Sequence, residues 1–344
     1  MRDLADGTLA ATTGQCKGGM DIAYTGVWGY HPLVVSLANT QEPLFLVNRS
    51  GNRPSAEGAA ERFDQASALC REAGFRRITF RGDTDFSQTA HLDRWTQAGV
   101  RFVFGYDARA NVIREADALP ARAWHRLVRR PPSEVQTAPR QRPVNVKEAI
   151  IVERAFKNLR LEAEAVAEFP YQPTACAKAY RMVVVRKNIS VEQGDQRLFD
   201  EIRYFFSLTN DHETAATDLV FLANDRGNQE NLIDQLKHGV GAMRMPVDTL
   251  RSNGAYMVMA ALAWTLKAWF ALRLPEAGRW AARYAAEKRA VLRMEFKAFL
   301  HAFMLVPVQV VRTSRRVVLR LLAWNPWQAV FLRGFDYIRA PLRG

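Results

Sequence analysis

The chain has 344 residues, of which 48 are Lys or Arg and 35 are Asp or Glu, giving a net charge of +13. Its hydrophobic content of 48 % excludes global disorder and provides a core for one large domain with an insertion, or for two domains. Cys16, Cys70 and Cys176 are widely spaced, which is typical of reduced cytoplasmic thiols and excludes a disulfide scaffold or a zinc site. The basic balance favours a polyanionic partner, nucleic acid before a membrane.

The first third of the chain predicts a hairpin followed by a helix. Residues 29–37 and 44–48 are strand-like and flank a turn, which predicts an antiparallel pair. Residues 55–73 have helical periodicity, with Ser55 as the candidate N-cap and Gly74 as the stop.

Two further strands then enclose a second helix. Residues 77–81 and 101–106 are strand-like, and a helix is predicted from about residue 89 to 98, before Gly99. Alternation of strands and helices predicts an α/β sheet in which the later strands are parallel to the first. Asp6 and Asp83 both end apolar strands, and the carboxyl ends of strands are where open α/β sheets place their sites.

Two later regions differ from the first third of the chain in composition and in the pattern of apolar residues. Residues 108–207 are first turn-rich and basic, and then alternate as strands do at 180–187 and 198–208, which predicts a largely β insertion. A helix is predicted over 246–274, where the longest apolar run has twelve residues before Lys267, too few to span a bilayer, so a buried helix and no membrane are expected.

Residues 276–344 form a basic tail with 13 Lys or Arg and 4 Asp or Glu, so +9 of the net charge lies there. Helical segments are predicted. Three interpretations stay open: a solvated helical face or extension, a DNA-binding surface, and a helix on a membrane surface. The second places its arginines along a phosphate backbone.

Between insertion and tail, residues 226–237 are predicted to form a helix ended by Gly239. At about 100° per residue, Arg226, Glu230 and Lys237 fall on one stripe. On this spacing alone, an exposed ion pair between Arg226 and Glu230 is the simplest interpretation.

The two strand-end aspartates change that interpretation. Asp6, Asp83 and Glu230 together make an all-oxygen ligand set, which Mg²⁺ or Mn²⁺ prefers. Two such ions about 3.5–4 Å apart can activate a water or a 3′-hydroxyl for phosphodiester displacement. Each aspartate alone is more simply a cap or turn residue. Asp85 competes with Asp83, because both could face the same side of a continuing strand.

At these residues the sequence resembles the DDE transposases of bacterial insertion sequences, most closely the thirteen-eighty family. The Asp6-Gly7-Thr8 turn matches the family's first Asp in Asp-x-Thr, and Asp83 matches its second Asp after a strand. The third signature is Tyr, two residues, Arg, three residues, Glu, six residues, Lys. Arg226, Glu230 and Lys237 meet that spacing, whereas Ala223 occupies the Tyr position. The segments 29–33 and 246–274 also look like this family.

The resemblance, which covers about residues 6–275, implies an RNase H-like core, a mixed sheet flanked by helices, with a β insertion between the second Asp and the Glu. It implies DNA cleavage at transposon ends and strand transfer to a target. Asp6, Asp83 and Glu230 would hold the metals, while Arg226, Lys237 and Asn231 would contact DNA. Asn231 as a plain solvent-facing residue stays equally open. The implied partners are terminal inverted repeats, target DNA and a second copy of the chain, in the nucleoid of the cytoplasm.

Relatives of this kind carry a helical region ahead of the first Asp, where this chain has five residues. An N-terminally truncated copy is therefore expected, and a DNA-binding remnant without activity is the alternative function. A nuclease without strand transfer is a third. The expected domains are residues 1–107 and 211–275 for the core, 108–210 for the insertion and 276–344 for the tail.

Overall fold

A computed structural model of the chain describes residues 2–129, 146–224, 227–322 and 325–339. The chain forms two compact units, here called unit 1 (residues 1–78 and 226–344) and unit 2 (residues 79–225).

The strands of the described residues are β1 (Arg2–Gly7), β2 (Ala10–Ala11), β3 (Asp21–Ile22), β4 (Trp28–Tyr30), β5 (Leu33–Leu37), β6 (Glu42–Val47), β7 (Thr79–Gly82), β8 (Arg101–Tyr106), β9 (His125–Arg126), β10 (Lys157–Tyr171), β11 (Tyr180–Gln193), β12 (Gln196–Thr209), β13 (Val308–Arg312) and β14 (Val317–Leu321). The helices are α1 (Ala59–Glu72), α2 (Leu92–Gln97), α3 (Ala110–Asp117), α4 (Val146–Glu153), α5 (Ala216–Asn224), α6 (Gly227–Asp234), α7 (Leu250–Leu272), α8 (Ala281–Arg293), α9 (Phe296–Phe299) and α10 (Gln328–Arg339).

In unit 1, β1, β5 and β6 form an antiparallel sheet in the order β6-β5-β1. The hairpin predicted from the turn at residues 39–43 is confirmed as β5 and β6. Helix α1 ends where it was predicted to end, before Gly74 at φ 88°. Ser55 as its N-cap is wrong: Gly58 is the N-cap, and the Ser55 carbonyl accepts a hydrogen bond from Arg49 instead.

The core of unit 1 forms around α7. Its N-cap Thr249 accepts a hydrogen bond from the Ser252 amide, which satisfies one of the helix's first N–H groups. Met257, Trp264 and Ala271 are buried in a cluster that also contains residues of α6, α8 and α9. The predicted helix at 246–274 is thus confirmed, beginning at Leu250.

Lys267 is the charged residue on the buried face of α7. Its ammonium donates to the carbonyls of Leu292 and Met294 at the end of α8, and lies 3.6 Å from the centre of the Trp264 ring. Burial lowers the pKa of Lys267 to about 7. The lysine therefore satisfies the last carbonyls of one helix from the side of another.

Helix α7 is also the one helix, among the described residues, whose length and apolar composition would allow it to cross a membrane. Core helices pass the same test, and one third (33 %) of its most apolar window is buried within the protein. One face of α7 packs into the core of unit 1, whereas Met259, Leu262 and Leu266 on the helix are exposed.

The basic tail is helical only in part. Helices α8, α9 and α10 agree with the expectation of helical segments. Between α9 and α10, however, β13 and β14 pair as an antiparallel hairpin, with Val310 opposite Leu319. Consecutive apolar and β-branched residues, Val310-Val311 and Val317-Val318-Leu319, favour strands here.

In unit 2, β7 and β8 are parallel to each other, and α2 connects them. The sheet continues in the order β7-β8-β12-β11-β10-β9 with antiparallel pairing, so it is a mixed sheet. The predicted strands at 180–187 and 198–208 are present as β11 and β12, each of 14 residues, whereas the 15-residue strand β10 was not predicted. Helix α5 covers one face through Leu219 and Val220.

Candidate active site

Asp6 lies one residue before the end of β1, opposite Val34 of β5. Its side chain is half-buried. Gly7 follows because there is little room for a side chain: a Cβ there would lie 2.9 Å from Nε2 of His31 and 3.2 Å from Cα of Ser55. The glycine of the Asp-Gly-Thr turn therefore allows the chain after Asp6 to run close to a buried imidazole.

The segment 29–33 holds the Asp6 turn from the other side. The amide of Thr8 donates to the carbonyl of Pro32 at 3.0 Å. His31 is buried, and its Nδ1 lies 2.8 Å from the carbonyl oxygen of Arg53; because a carbonyl only accepts, Nδ1 carries the proton. The family-like Gly-Tyr-His-Pro-Leu segment thus has a structural role beside Asp6.

Arg49 fixes that segment in turn. Its buried guanidinium donates to four backbone carbonyls, those of His31, Pro54, Ser55 and Glu57, at 2.7–3.1 Å. Burial lowers the pKa of Arg49, an effect that the nearby Glu57 carboxylate opposes. One cation therefore ties residues 54–57 to the strand end next to the Asp6 turn.

Glu230 lies on α6, and the residue before it anchors the helix. Gln229 is 2 % exposed, and its side-chain oxygen accepts a hydrogen bond from the buried Ser36 hydroxyl of β5. Its amide nitrogen donates to the carbonyl of Val34 at 3.4 Å, the residue opposite Asp6. Gln229 thus fastens the first turn of α6 to the strand beside Asp6, while Glu230 itself is exposed. Sequence reasoning missed Gln229.

Lys237 lies near Asp6. It is half-buried in a π-helical turn, Gln235–Gly239, that continues α6. Burial lowers the pKa of Lys237, and attraction by the carboxylates of Asp6 and Asp234 opposes this shift. The helix predicted over 226–237 is confirmed from Gly227, with Leu232 and Leu236 buried, but its last turn is wider than an α-helix. The stripe drawn for straight α-helical spacing therefore does not extend unchanged to Lys237.

In unit 2, Asp83 follows β7 directly and is half-buried. It is the N-cap of a 3₁₀ turn, Thr84–Phe86, and its Oδ1 accepts a hydrogen bond from the amide of Asp85 at 3.0 Å. Asp85 is exposed and donates this backbone hydrogen bond from within the turn. The strand end therefore presents Asp83, and the competing Asp85 helps to shape the turn.

Gly105 on β8 makes room for the Asp83 turn. A Cβ at this position would lie 2.8 Å from the backbone nitrogen of Thr84 and 3.0 Å from the carbonyl carbon of Asp83. Two residues before Asp83, the buried Arg81 donates to the carbonyl of Leu222 in the last turn of α5 at 2.6 Å. Neither Gly105 nor Arg81 was recognised from the sequence. A glycine inside a strand indicates a close approach of another backbone, and this signal could have identified Gly105.

Arg226 and Asn231 are the remaining residues predicted to contact DNA. Arg226 lies outside the described residues, so its predicted ion pair and DNA contact remain predictions. Asn231 is exposed on α6. Ala223, at the position of the family's tyrosine, is half-buried on α5 against the apolar cluster of unit 2.

The three predicted metal ligands are divided between the two units. Among the described residues, no group of three or more His, Cys, Asp or Glu side chains lies together so that it could hold a metal ion. Asp6 and Glu230 belong to unit 1, and Asp83 belongs to unit 2. Each unit taken by itself therefore carries an incomplete form of the predicted ligand set.

Two strand-end aspartates, a helix-borne glutamate and a mixed α/β sheet are the features that the sequence signature predicts for a DDE transposase domain. The family model for the transposase DDE domain, group 1, matches residues 3–341, and the chain belongs to this family. The match includes residues 276–341, so the interpretation of the basic tail as an extension outside the family is wrong.

Comparison with solved structures gives a cryo-EM structure of the piggyBac transposase synaptic complex with hairpin DNA, at 10 % identity and a TM-score of 0.35. The likeness covers 84 % of this chain and 57 % of that transposase, so this chain spans less than two thirds of its length. A search of curated proteins found no match.

Proposed function

We propose that the chain is a transposase with an RNase H-like catalytic core, which cleaves DNA at the ends of an insertion sequence and joins the freed 3′-hydroxyls to a target. Membership of the DDE transposase family supports the class of reaction and DNA as the partner. The details, including the bacterial insertion-sequence origin and the thirteen-eighty family, rest on the sequence signature at Asp6, Asp83, Glu230 and Lys237.

The single observation that carries the proposal is the build of the Asp6 site in unit 1. Asp6 ends its strand, and the buried Gln229 fastens the helix with Glu230 to the residue opposite Asp6. Gln229 and Ser36 are both buried and satisfied by hydrogen bonds, so they fix the first turn of α6, which carries Glu230, against the strand next to β1. This is the arrangement expected where two carboxylates must keep a fixed geometry.

In this proposal Asp6, Asp83 and Glu230 are the catalytic carboxylates and hold Mg²⁺ or Mn²⁺, as two ions. Members of the DDE family generally use divalent ions. When bound, such ions supply an activated oxygen nucleophile and stabilise the leaving oxygen. The carboxylate oxygens suit these hard cations, although the described residues contain no ready-made group of three acids.

The basic side chains near the carboxylates are proposed to contact DNA. Lys237, attracted to Asp6 in the protein alone, would meet a DNA phosphate beside the scissile bond, and Arg226 and Asn231 would contact the DNA backbone. We further propose that the protein acts as a homodimer on paired transposon ends, in the nucleoid of the cytoplasm.

Strand cleavage tests the proposal. A duplex that bears the element's own terminal inverted repeats is incubated with the full chain and Mg²⁺, and Glu230→Gln is compared with the parent protein. Loss of the carboxylate is expected to lower the cleavage rate at least about 100-fold. Asp85→Asn is the control, because Asp85 is an exposed acid in the turn that follows Asp83. This variant should cleave DNA within about threefold of the parent's rate. Unchanged cleavage by Glu230→Gln would remove Glu230 from the site.

A DNA-binding protein without activity is the second candidate. It is favoured by the lack of a three-acid group among the residues that the structure describes and by Ala223 at the tyrosine position. The same assay separates the two, since such a protein binds the duplex but leaves it intact with either Mg²⁺ or Mn²⁺.

A further inference from the structure

The β13–β14 hairpin of unit 1 extends away from the packed core. Its two strands pair with each other over five residue pairs, from Val308 opposite Leu321 to Arg312 opposite Val317. Among the described residues, it makes no extensive contact with any other helix or strand. A two-stranded hairpin is marginally stable by itself in water, so this one needs a surface to lie on.

The charge around the hairpin has one sign. From residue 296 to residue 335 the chain contains no Asp or Glu. The hairpin itself carries Arg312, Arg315, Arg316 and Arg320, all exposed. Within the described part of the chain, no hydrogen bond or ion pair of these four guanidinium groups is found, so none of the described carboxylates neutralises them.

The arginines surround the tip rather than lie on one face. Because neighbouring residues of a strand face opposite sides, Arg312 shares a face with Val310 and Leu319, and Arg320 lies on the other face, opposite Gln309. Arg315 and Arg316 lie in the turn. That turn is fixed by hydrogen bonds between Thr313 and Arg316, so the charges are held in place before any partner binds.

The faces between the charges are apolar and exposed. Val310, Val317 and Leu319 are 56 %, 64 % and 63 % exposed, which is unusual for three neighbouring aliphatic side chains. A nucleic-acid groove offers both kinds of contact, because phosphates line its edges, and sugars and thymine methyl groups line its wall. The major groove is wide enough for a two-stranded β-ribbon.

A second β-ribbon in the same protein gives the contrast. The outer halves of β10, β11 and β12 in unit 2 carry Arg160, Arg197 and Arg203, and each is paired with a carboxylate on the same ribbon, Glu192, Asp200 and Glu201, at 2.5–3.0 Å. Those cations are already neutralised. A phosphate would have to displace a carboxylate at each of them.

We infer that the β13–β14 hairpin is a DNA-binding element that enters a groove of duplex DNA, with Arg312, Arg315, Arg316 and Arg320 on phosphates. The inference rests on the proposed function for its choice of DNA, and it adds a contact surface separate from the carboxylates. Binding there is electrostatic in the main and therefore depends steeply on salt.

Fluorescence anisotropy with a duplex of about 30 bp and arbitrary sequence tests it, in EDTA so that no cleavage occurs. The hairpin triple variant Arg315→Ala, Arg316→Ala, Arg320→Ala is compared with a ribbon triple, Arg160→Ala, Arg197→Ala, Arg203→Ala, which removes the same formal charge. The hairpin triple should bind at least about tenfold more weakly at low salt, and its slope of log K against log salt should fall by about 2–3. The ribbon triple should change affinity less than about threefold.

One further variant and one further probe complete the design. Replacing the same hairpin arginines by Lys keeps the charge, and should retain the parent's salt slope even if local packing changes. Equal effects of the two alanine triples, or an unchanged slope in the hairpin triple, would overturn the inference. So would a hairpin triple that loses affinity for vesicles with anionic lipid while it binds DNA like the parent, since the hairpin would then be a lipid-surface element.

These outcomes are independent of cleavage. A hairpin triple that binds DNA like the parent overturns this inference and leaves the cleavage test of Glu230 untouched. Unchanged cleavage by Glu230→Gln overturns the proposed active site and leaves the binding result for the hairpin standing.

Discussion

The ends of β1 and β7 each present a half-buried aspartate, but the two strand ends are held by different means. The Asp6 turn is held by side chains that are far away in the sequence. His31 lies against Gly7, and Gln229 fastens α6 to the residue opposite Asp6. The Asp83 turn is mostly local, since Asp83 caps its own 3₁₀ turn through the amide of Asp85.

The two turns also differ in the atoms that a Cβ added at the neighbouring glycine would meet. At Gly7 the nearest atom to an added Cβ is the end of a side chain, Nε2 of His31 at 2.9 Å. At Gly105 it is backbone, the nitrogen of Thr84 at 2.8 Å. A side chain can rotate or be removed, whereas backbone can only be displaced together with Asp83. The position of Asp83 therefore depends on the strand beside it, and that of Asp6 depends on the packing of unit 1.

The glycines give the largest expected difference. Gly105→Ala should lower metal-dependent cleavage about 100-fold, because displacement of a reacting group by about 1 Å is enough for such a loss. Gly7→Ala should lower it less, about tenfold, since its nearest obstacle is a side chain, the His31 ring, and not the backbone of the aspartate's own turn. Cleavage rates of both variants, with circular dichroism as the control for folding, check this.

A double variant sharpens the comparison. In a His31→Ala background, the further change Gly7→Ala should have a smaller effect than it has in the parent, because the nearest obstacle is gone. Equal losses for Gly7→Ala in both backgrounds, or a Gly105→Ala protein as active as the parent, would contradict the distinction between the two turns.

Gln229 gives a smaller effect, on stability. Gln229→Ala should lower the free energy of unfolding by about 2 kcal/mol, because it leaves the buried Ser36 hydroxyl without its acceptor and opens a small cavity. Asn231→Ala, two residues on and exposed, should change it by less than about 0.5 kcal/mol. Denaturant titrations measure both. A Gln229→Ala protein as stable as Asn231→Ala would mean that α6 is held to β5 in some other way.

Local signals explain what could be predicted from the sequence. Asp6 and Asp83 could be placed at strand ends because apolar runs and turn residues surround them within a few positions. The helix at 226–237 could be predicted from the spacing of Leu232, Ile233 and Leu236. Gln229 could not be recognised, since a glutamine on a polar helix face looks solvated, and its partner Ser36 lies 193 positions away.

The tail shows a different limit. Its arginine content predicted a basic surface, but the β13–β14 hairpin was not predicted. The turn from Thr313 to Arg316 contains neither Gly nor Asn, the usual signals of a tight hairpin, and the bond between Thr313 and Arg316 takes their place. The π-helical turn at Lys237 has no local signal that we can identify. The predicted division into a core, an insertion at 108–210 and a tail stays a prediction. The compact unit that contains the long strands also contains β7 and β8.

The central claim is that Asp6 and Asp83 bind the divalent ions of the reaction, and a change of metal preference tests it most directly. Asp6→Cys and Asp83→Cys each replace a hard oxygen ligand by a softer thiolate, which Mn²⁺ accepts more readily than Mg²⁺. The ratio of cleavage rates in Mn²⁺ and Mg²⁺ is measured for the parent, both variants and Asp85→Cys. We predict that the ratio rises at least about tenfold for Asp6→Cys and Asp83→Cys and stays at the parent's value for Asp85→Cys. An unchanged ratio in the first two variants, or a raised ratio in Asp85→Cys, would contradict the assignment.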